Sequence, residues 1–160
     1  MESPLNTAPE IPGSGAALEH LLQYMEEAWP HEACGALFVS PCGKWKWQPI
    51  KNTATRPTCT FVFGEAWFEW LCQEEKNQST LACLVHSHPN GEAHLSKADI
   101  QSLAPGGRRL WPKVLQMVVS TGAEGWRELA WYEEEGEGFK CLGRKCRRHF
   151  ETRKTEKFKL

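Results

Sequence analysis

The stretch His86-Ser87-His88-Pro89-Asn90-Gly91-Glu92-Ala93-His94-Leu95-Ser96-Lys97-Ala98-Asp99 reads as His-x-His, a gap of seven residues, then Ser-x-x-Asp. Ahead of it, Leu81-Ala82-Cys83-Leu84-Val85 is short and continuously apolar, the mark of a buried strand. Side chains two apart on an extended chain share a face, so His86 and His88 converge while Ser87 points away. Pro89-Asn90-Gly91 then turns the chain. Ser96 stands as the N-cap of a helix carrying Ala98, Ile100 and Leu103, which puts Asp99 in the first turn, where a carboxylate suits the helix dipole. Two imidazoles and one carboxylate therefore meet at a strand end and a helix start. Three protein ligands with a fourth position left for water is the pattern of a catalytic zinc site, whereas structural sites are usually closed by four. Taken singly, such a histidine is solvated, Ser96 is only a cap and Asp99 only a dipole partner. The joint occurrence of the four is what points to a metal.

The same stretch resembles the JAMM motif of the JAB1/MPN+ metallopeptidases: an upstream Glu, then His-x-His, seven residues, and Ser-x-x-Asp. Pro30-His31-Glu32-Ala33-Cys34-Gly35-Ala36-Leu37 resembles the Pro-x-Glu-x-Cys-Gly signature that opens compact prokaryotic members. The likeness continues through Asn52, an expected strand containing Phe61, and Gln116-Met117-Val118-Val119-Ser120, covering roughly 15–132. It implies an α/β protein of the three-layer α/β/α JAB/MPN fold, similar in architecture to the cytidine deaminases, with a central mixed β-sheet. It implies one catalytic Zn2+ held by His86, His88 and Asp99. It also implies Glu32 as the general acid/base over the bound water, and Ser96 as a hydroxyl donor to the oxygen that becomes negative. An acid at a helix-to-strand junction is otherwise a solvated group; only the likeness and the nearby metal motif give Glu32 this role.

The activity implied is hydrolysis of peptide or isopeptide bonds after the C-terminal glycine of ubiquitin-like or sulfur-carrier proteins. A Gly-rich tail fits a narrow groove, where an extended backbone can pair with a sheet edge. E1- and E2-like conjugation enzymes are the further partners implied, as in compact bacterial JAB-domain proteins of anti-phage defence. The segment 99–113 is short, so the insertions with which larger eukaryotic deubiquitinases read linkage type are not expected.

With 160 residues, 41% of them apolar and 24% charged, the chain is expected to be one domain with its own core. A net charge of -1 supplies no global field that would call for nucleic acid. No apolar run reaches the ~18 to 20 residues of a membrane span, and Met1-Glu2-Ser3-Pro4 lacks a signal-peptide profile, so the expected location is the cytoplasm. Seven cysteines, with no Cys-x-x-Cys pair, read as free thiols. A second metal on Cys141, Cys146 and His149 would need a spacing that fits no common finger.

The expected organisation is a flexible arm over 1–14, a JAB/MPN+ domain over 15–143 and a basic tail over 144–160. Leu18, Leu21, Leu22, Met25 and Trp29 recur at helical spacing, and Pro30 ends that helix. Strands are expected over 34–40, 44–48, 60–63, 81–85 with His86 and His88 at its end, 114–120 and 126–132. A second helix over 64–76 has Trp67, Trp70 and Leu71 inward and Glu69, Gln73, Glu74 and Glu75 outward. The basic loop Arg108-Arg109-Leu110-Trp111-Pro112 reads either as solvated or as a contact for an acidic substrate, and 133–137 as a solvated connection. In the tail, eight basic residues against two acidic ones give about +6, leaving about -7 elsewhere. That asymmetry suits either a docking segment or a frayed end.

Three other readings compete with this one. A non-catalytic MPN scaffold would have lost metal ligands, and the set here is complete. A zinc nucleobase deaminase needs His-x-Glu and Pro-Cys-x-x-Cys, which are not found. A DNA-processing role has the basic tail as its sole independent support, and nucleic acid is not expected as a partner.

Overall fold

The computed structural model describes residues 10–147. In chain order the elements are α1 (Ala16–Ala28), β1 (Cys34–Val39), β2 (Trp45–Ile50), α2 (Ala66–Lys76), β3 (Thr80–Pro89), α3 (Lys97–Leu103), β4 (Leu115–Gly122), β5 (Gly125–Glu135) and β6 (Gly138–Cys146). The strands form one mixed sheet in the order β2-β1-β3-β4-β5-β6, in which β3 and β4 are parallel and the other neighbours antiparallel. The parallel pair thus lies at the centre, with two strands on either side.

Alternation along the strands divides the core by face. Leu37, Cys83, Val85, Met117, Val119, Leu129 and Trp131 pack with Leu18, Leu21 and Met25 of α1. On the opposite face Cys34, Ala36, Phe38 and Leu84 pack with Trp67 of α2, and Val118, Ala130 and Tyr132 pack with Ala93 of the loop after β3. The three layers are therefore α1, the sheet, and α2 with α3. Trp47 crosses the surface of β1 at Gly35, where any Cβ would collide with the indole, so glycine there is a packing requirement. No helix among the described residues is long and apolar enough to cross a membrane.

Several expectations need correction. Residues 60–63 form no strand; their β-pairing is limited to an isolated bridge, Asn52↔Phe63. Glu74, placed outward, is buried at 1% exposure and paired with Lys46 of β2, while Trp70 is 36% exposed, so the inward face of α2 is Trp67, Leu71 and Glu74. Much of the acidic run is ordered: Glu133, Glu134 and Glu135 belong to β5 and pair with β6. An additional strand, β6, runs to Cys146, past the expected domain boundary at 143. At the other end Pro12 and Gly13 are buried, Gly13 against Leu37, so that part of the arm packs on the core. The rest of the arm, 1–9, and most of the tail, 148–160 with His149, lie outside the described residues.

Candidate metal centre

The site is built at the ends of β1, β3 and β4. In the antiparallel pair of β1 with β3, Cys34 stands opposite His86, and continuing that register sets Ala33 against Ser87 and Glu32 against His88. Two hydrogen bonds carry the register past the strand end: Ser87 N–H donates to the Ala33 carbonyl at 2.9 Å, and Ala33 N–H donates to Ser87 Oγ at 2.8 Å. Residues opposite one another on antiparallel strands share a face, so Glu32 is brought to the side of the sheet that carries both histidines. Ser87, fully buried and pointing away from them, is the tie between the two segments.

His86, His88 and Asp99 are the group of metal-ligating side chains that converges among the described residues, with their ligand atoms all within 4.8 Å. The His86 and His88 Nε2 atoms are 3.0 Å apart, and Asp99 Oδ2 lies 3.3 Å from the first and 3.2 Å from the second. Tetrahedral ligands at about 2.0–2.1 Å from zinc stand about 3.3 Å from one another, so this triangle matches a zinc cradle to within a few tenths of an ångström. The donor chemistry agrees. His88 Nδ1–H donates to the Glu92 carbonyl at 2.9 Å, which fixes the ring with Nε2 turned into the triangle. A cation placed between these three atoms would be met by two ring nitrogens and a carboxylate oxygen at once. Imidazole and carboxylate ligands suit zinc, and with only three of them the coordination shell stays open.

Asp99 is positioned by its own helix. Ser96 N–H donates to Asp99 Oδ2 at 2.8 Å, and Asp99 N–H donates to Ser96 Oγ at 3.1 Å, a reciprocal capping box at the start of α3. Burial works to raise the Asp99 pKa, but hydrogen bonds from His86 and His88 outweigh it and hold the carboxyl well below the usual range. The carboxylate form that a metal would need is thereby favoured. Burial lowers the pKa of His86, favouring the neutral ring that a metal needs. Phe61 stacks on the His86 ring at 4.6 Å between centroids, fixing its plane.

Glu32 is 9% exposed, and burial pushes its carboxyl up to about 7, with the His88 charge opposing and the Asp99 charge reinforcing the shift. It lies outside the ligand triangle. Its backbone is fastened on both sides: N–H to the Pro57 carbonyl at 2.6 Å, and C=O to Asn52 Nδ2 at 2.9 Å. Asn52 also donates to the Thr60 carbonyl and accepts from Ala54 and Val62 N–H groups, so one amide shapes the loop that presents Phe61. Beside Glu32 opens a cleft of about 520 Å³ walled by Tyr24, His31, Pro49, Lys51 and Pro57. Cys34, the nearest thiol in sequence, is held neutral: burial, helped by the Glu32 charge, pushes its pKa up to about 12.

The sequence-derived residues are thus brought together as follows: His86, His88, Asp99 and Ser96 in one cluster, with Glu32 facing it across the β1–β3 register. Arg109 of the basic loop is engaged elsewhere, with Glu134 at 3.2 Å and the Gly136 and Gly138 carbonyls. Phe61, Ser87 and Asn52 support the site although the sequence pattern assigns them no part in it. Nothing in the local pattern distinguishes Ser87 from any serine between two histidines; only the register of β1 gives it a partner.

A family model described as prokaryotic homologs of the JAB domain matches residues 15–132. Among curated proteins there is no match. Among solved structures the chain is similar to a Desulfitobacterium hafniense protein determined in solution, at 22% identity over 78% of this chain and 84% of that one, TM-score 0.57. It is likewise similar to a Salinibacter ruber protein determined in solution, at 16% identity over 78% and 83%, TM-score 0.55. The crystal structure of a JAB1/MPN domain protein from Archaeoglobus fulgidus matches at 18% identity over 73% and 83%, TM-score 0.42.

Proposed function

The chain belongs to the family of prokaryotic homologs of the JAB domain, and from that premise we propose that it is a zinc-dependent peptidase or isopeptidase. Its substrate in this proposal is a ubiquitin-like or sulfur-carrier protein, cleaved after the C-terminal glycine. The observation that carries the reading is the convergence of His86, His88 and Asp99 to zinc-like spacings with Glu32 in register opposite His88. A scaffold that had given up chemistry would have no need to keep a complete ligand set and an acid of raised pKa on the same face.

His86, His88 and Asp99 would hold the ion through Nε2, Nε2 and Oδ2. When bound there, zinc would supply Lewis acidity toward a carbonyl oxygen and make water a nucleophile near neutral pH. The remaining work falls to the chain. Glu32, with a carboxyl pKa pushed up to about 7, takes the proton of the attacking water and returns it to the leaving nitrogen. Ser96 Oγ already accepts the Asp99 N–H, so its hydroxyl proton is free to turn outward toward an oxygen gaining negative charge. Ser87 keeps Glu32 at its station, and the Glu92 carbonyl keeps His88 in the tautomer that ligates. Access is from one side: His86 is buried, whereas the His88 and Asp99 side chains are 16% and 13% exposed. A substrate tail without side chains suits ligands so little exposed.

The test is cleavage of ubiquitin-like and sulfur-carrier fusions with Gly-Gly-ended tails by the zinc-loaded protein, with Ala-Ala-ended tails in parallel. Cleavage after the final glycine, lost with Ala-Ala, is expected. A zinc-loaded protein that leaves every Gly-Gly fusion intact would overturn the peptidase reading. Such a substrate would be handled in the cell by E1- and E2-like enzymes, which are therefore the partners proposed.

A further inference from the structure

β6 lies beyond the residues that match the family, yet one of its side chains reaches the segment between the metal ligands. Arg144 stands opposite Ala130 of β5, and Glu128 and Tyr132 flank Ala130 on the same face, within diagonal reach. Arg144 Nη1 donates to Glu128 Oε1 at 3.1 Å and to the Ala93 carbonyl at 3.3 Å. Its Nη2 donates to Tyr132 Oη at 3.0 Å, and the Tyr132 hydroxyl donates in turn to the same Ala93 carbonyl at 2.7 Å.

Ala93 is wholly buried and lies in the loop that joins His88 to Ser96. The carbonyl just before it, that of Glu92, accepts the His88 Nδ1–H. One peptide unit therefore separates the group clamped by β5 and β6 from the group that orients a metal ligand. On the other side of Glu92, the Gly91 carbonyl accepts from Ser120 Oγ at 2.6 Å and from Arg127 Nη2 at 3.2 Å. The loop is thus pinned at Gly91 and Ala93, and His88 leans on the carbonyl between them.

We infer that Arg144, acting through Tyr132 and the Ala93 carbonyl, is a positioning residue for the metal centre. The inference rests on the metal reading above. A loop of this length left unclamped would sample many conformations, and each would have to be given up when His88 and Asp99 close on an ion. The clamp removes that cost beforehand, from a strand that the family match does not include.

The test is zinc affinity of the full chain by chelator competition, for wild type, Tyr132→Phe, Arg144→Met and the double variant. Unfolding of the metal-free forms and the visible spectrum of the Co2+-loaded forms are measured alongside. Each single change is expected to weaken zinc binding about tenfold, the low end for groups behind a ligand. Because both residues act on one carbonyl, the double variant is expected to lose little more than either single one. The Co2+ bands are expected to shift. Zinc affinities held within about twofold of wild type, with only the metal-free stability lowered, would show that the clamp is packing and overturn the inference. If Arg144→Met does not fold, Tyr132→Phe, which removes a single hydroxyl, decides the matter by the same criterion. Wild type that binds no zinc would instead overturn the metal reading, and the inference with it.

Discussion

Replacing Glu32 by glutamine keeps the shape of the side chain and removes its charge, so it separates what the carboxylate does from what it costs. In the metal-free protein burial raises the Glu32 pKa from 4.5 to about 7. A carboxyl whose folded pKa is raised contributes most below its unfolded value, and that contribution is lost as the pH climbs through the folded one. With 1.36 kcal/mol per pH unit, the wild type has lost roughly 1 kcal/mol by pH 5 and at most about 3 kcal/mol by pH 8. Glu32→Gln has no such loss. Denaturant unfolding of the metal-free proteins should therefore show the variant gaining on wild type by about 2 kcal/mol between pH 5 and pH 8. The same variant, loaded with zinc, should bind the ion as wild type does, because Glu32 is outside the ligand triangle, yet cleave a Gly-Gly-ended fusion about 10² to 10⁴-fold more slowly. A stability difference that does not change between the two pH values would refute the buried-acid account. Retained cleavage would remove Glu32 from the chemistry whatever its pKa.

Three further outcomes are expected. Zinc at a hundredfold over its dissociation constant should raise the unfolding free energy by about 2.7 kcal/mol, an increment that Asp99→Asn should largely abolish and a chelator reverse, as read by thermal or denaturant unfolding. Ser96→Ala should cost about 1 kcal/mol through the lost N-cap and, if the hydroxyl serves the oxyanion, slow cleavage by about 10² to 10³, while Ser96→Thr should keep most of both; equal activity of the three proteins would leave Ser96 a cap alone. Ser87→Ala should leave the buried Ala33 N–H without its acceptor, at about 1 to 3 kcal/mol, and lower kcat more than it changes zinc affinity.

The metal cluster was legible in the sequence because its parts are local. His86 and His88 share a face by strand period, and Asp99 follows from the cap at Ser96, so fourteen residues of backbone geometry suffice. Glu32 was not legible in that way, since its place depends on a pairing between β1 and β3 that no local pattern reports; the family resemblance supplied it. The errors share a physical cause. Thr60-Phe61-Val62-Phe63 has strand-forming residues, but Asn52 takes up its backbone groups and His86 takes up its aromatic ring. β6, with Lys140, Arg144 and Lys145, has the charged composition that protects an exposed sheet edge, and such composition reads as loop. Glu74 was assigned to solvent by charge alone, although it falls on the same helical face as Trp67 and Leu71 and meets Lys46 of β2 there.

The position of the site follows from the sheet order. β3 and β4 run side by side in the same direction, so the chain leaving β3 must cross the sheet before β4 can begin, and such a connection needs a dozen residues or more. The crossover starts where His86 and His88 end the strand, and its first turn of helix brings Asp99 back over them. Its backbone finds hydrogen-bond partners on the neighbouring strands: Asn90 N–H on the Thr121 carbonyl of β4, the Gly91 carbonyl on Ser120 of β4 and Arg127 of β5, and the Ala93 carbonyl on Tyr132 and Arg144. A parallel pair in an otherwise antiparallel sheet thus creates a long return that has to be fastened down. The ligands sit on both ends of its fastened part, so the spacing of His86, His88 and Asp99 is set by the sheet before any ion arrives.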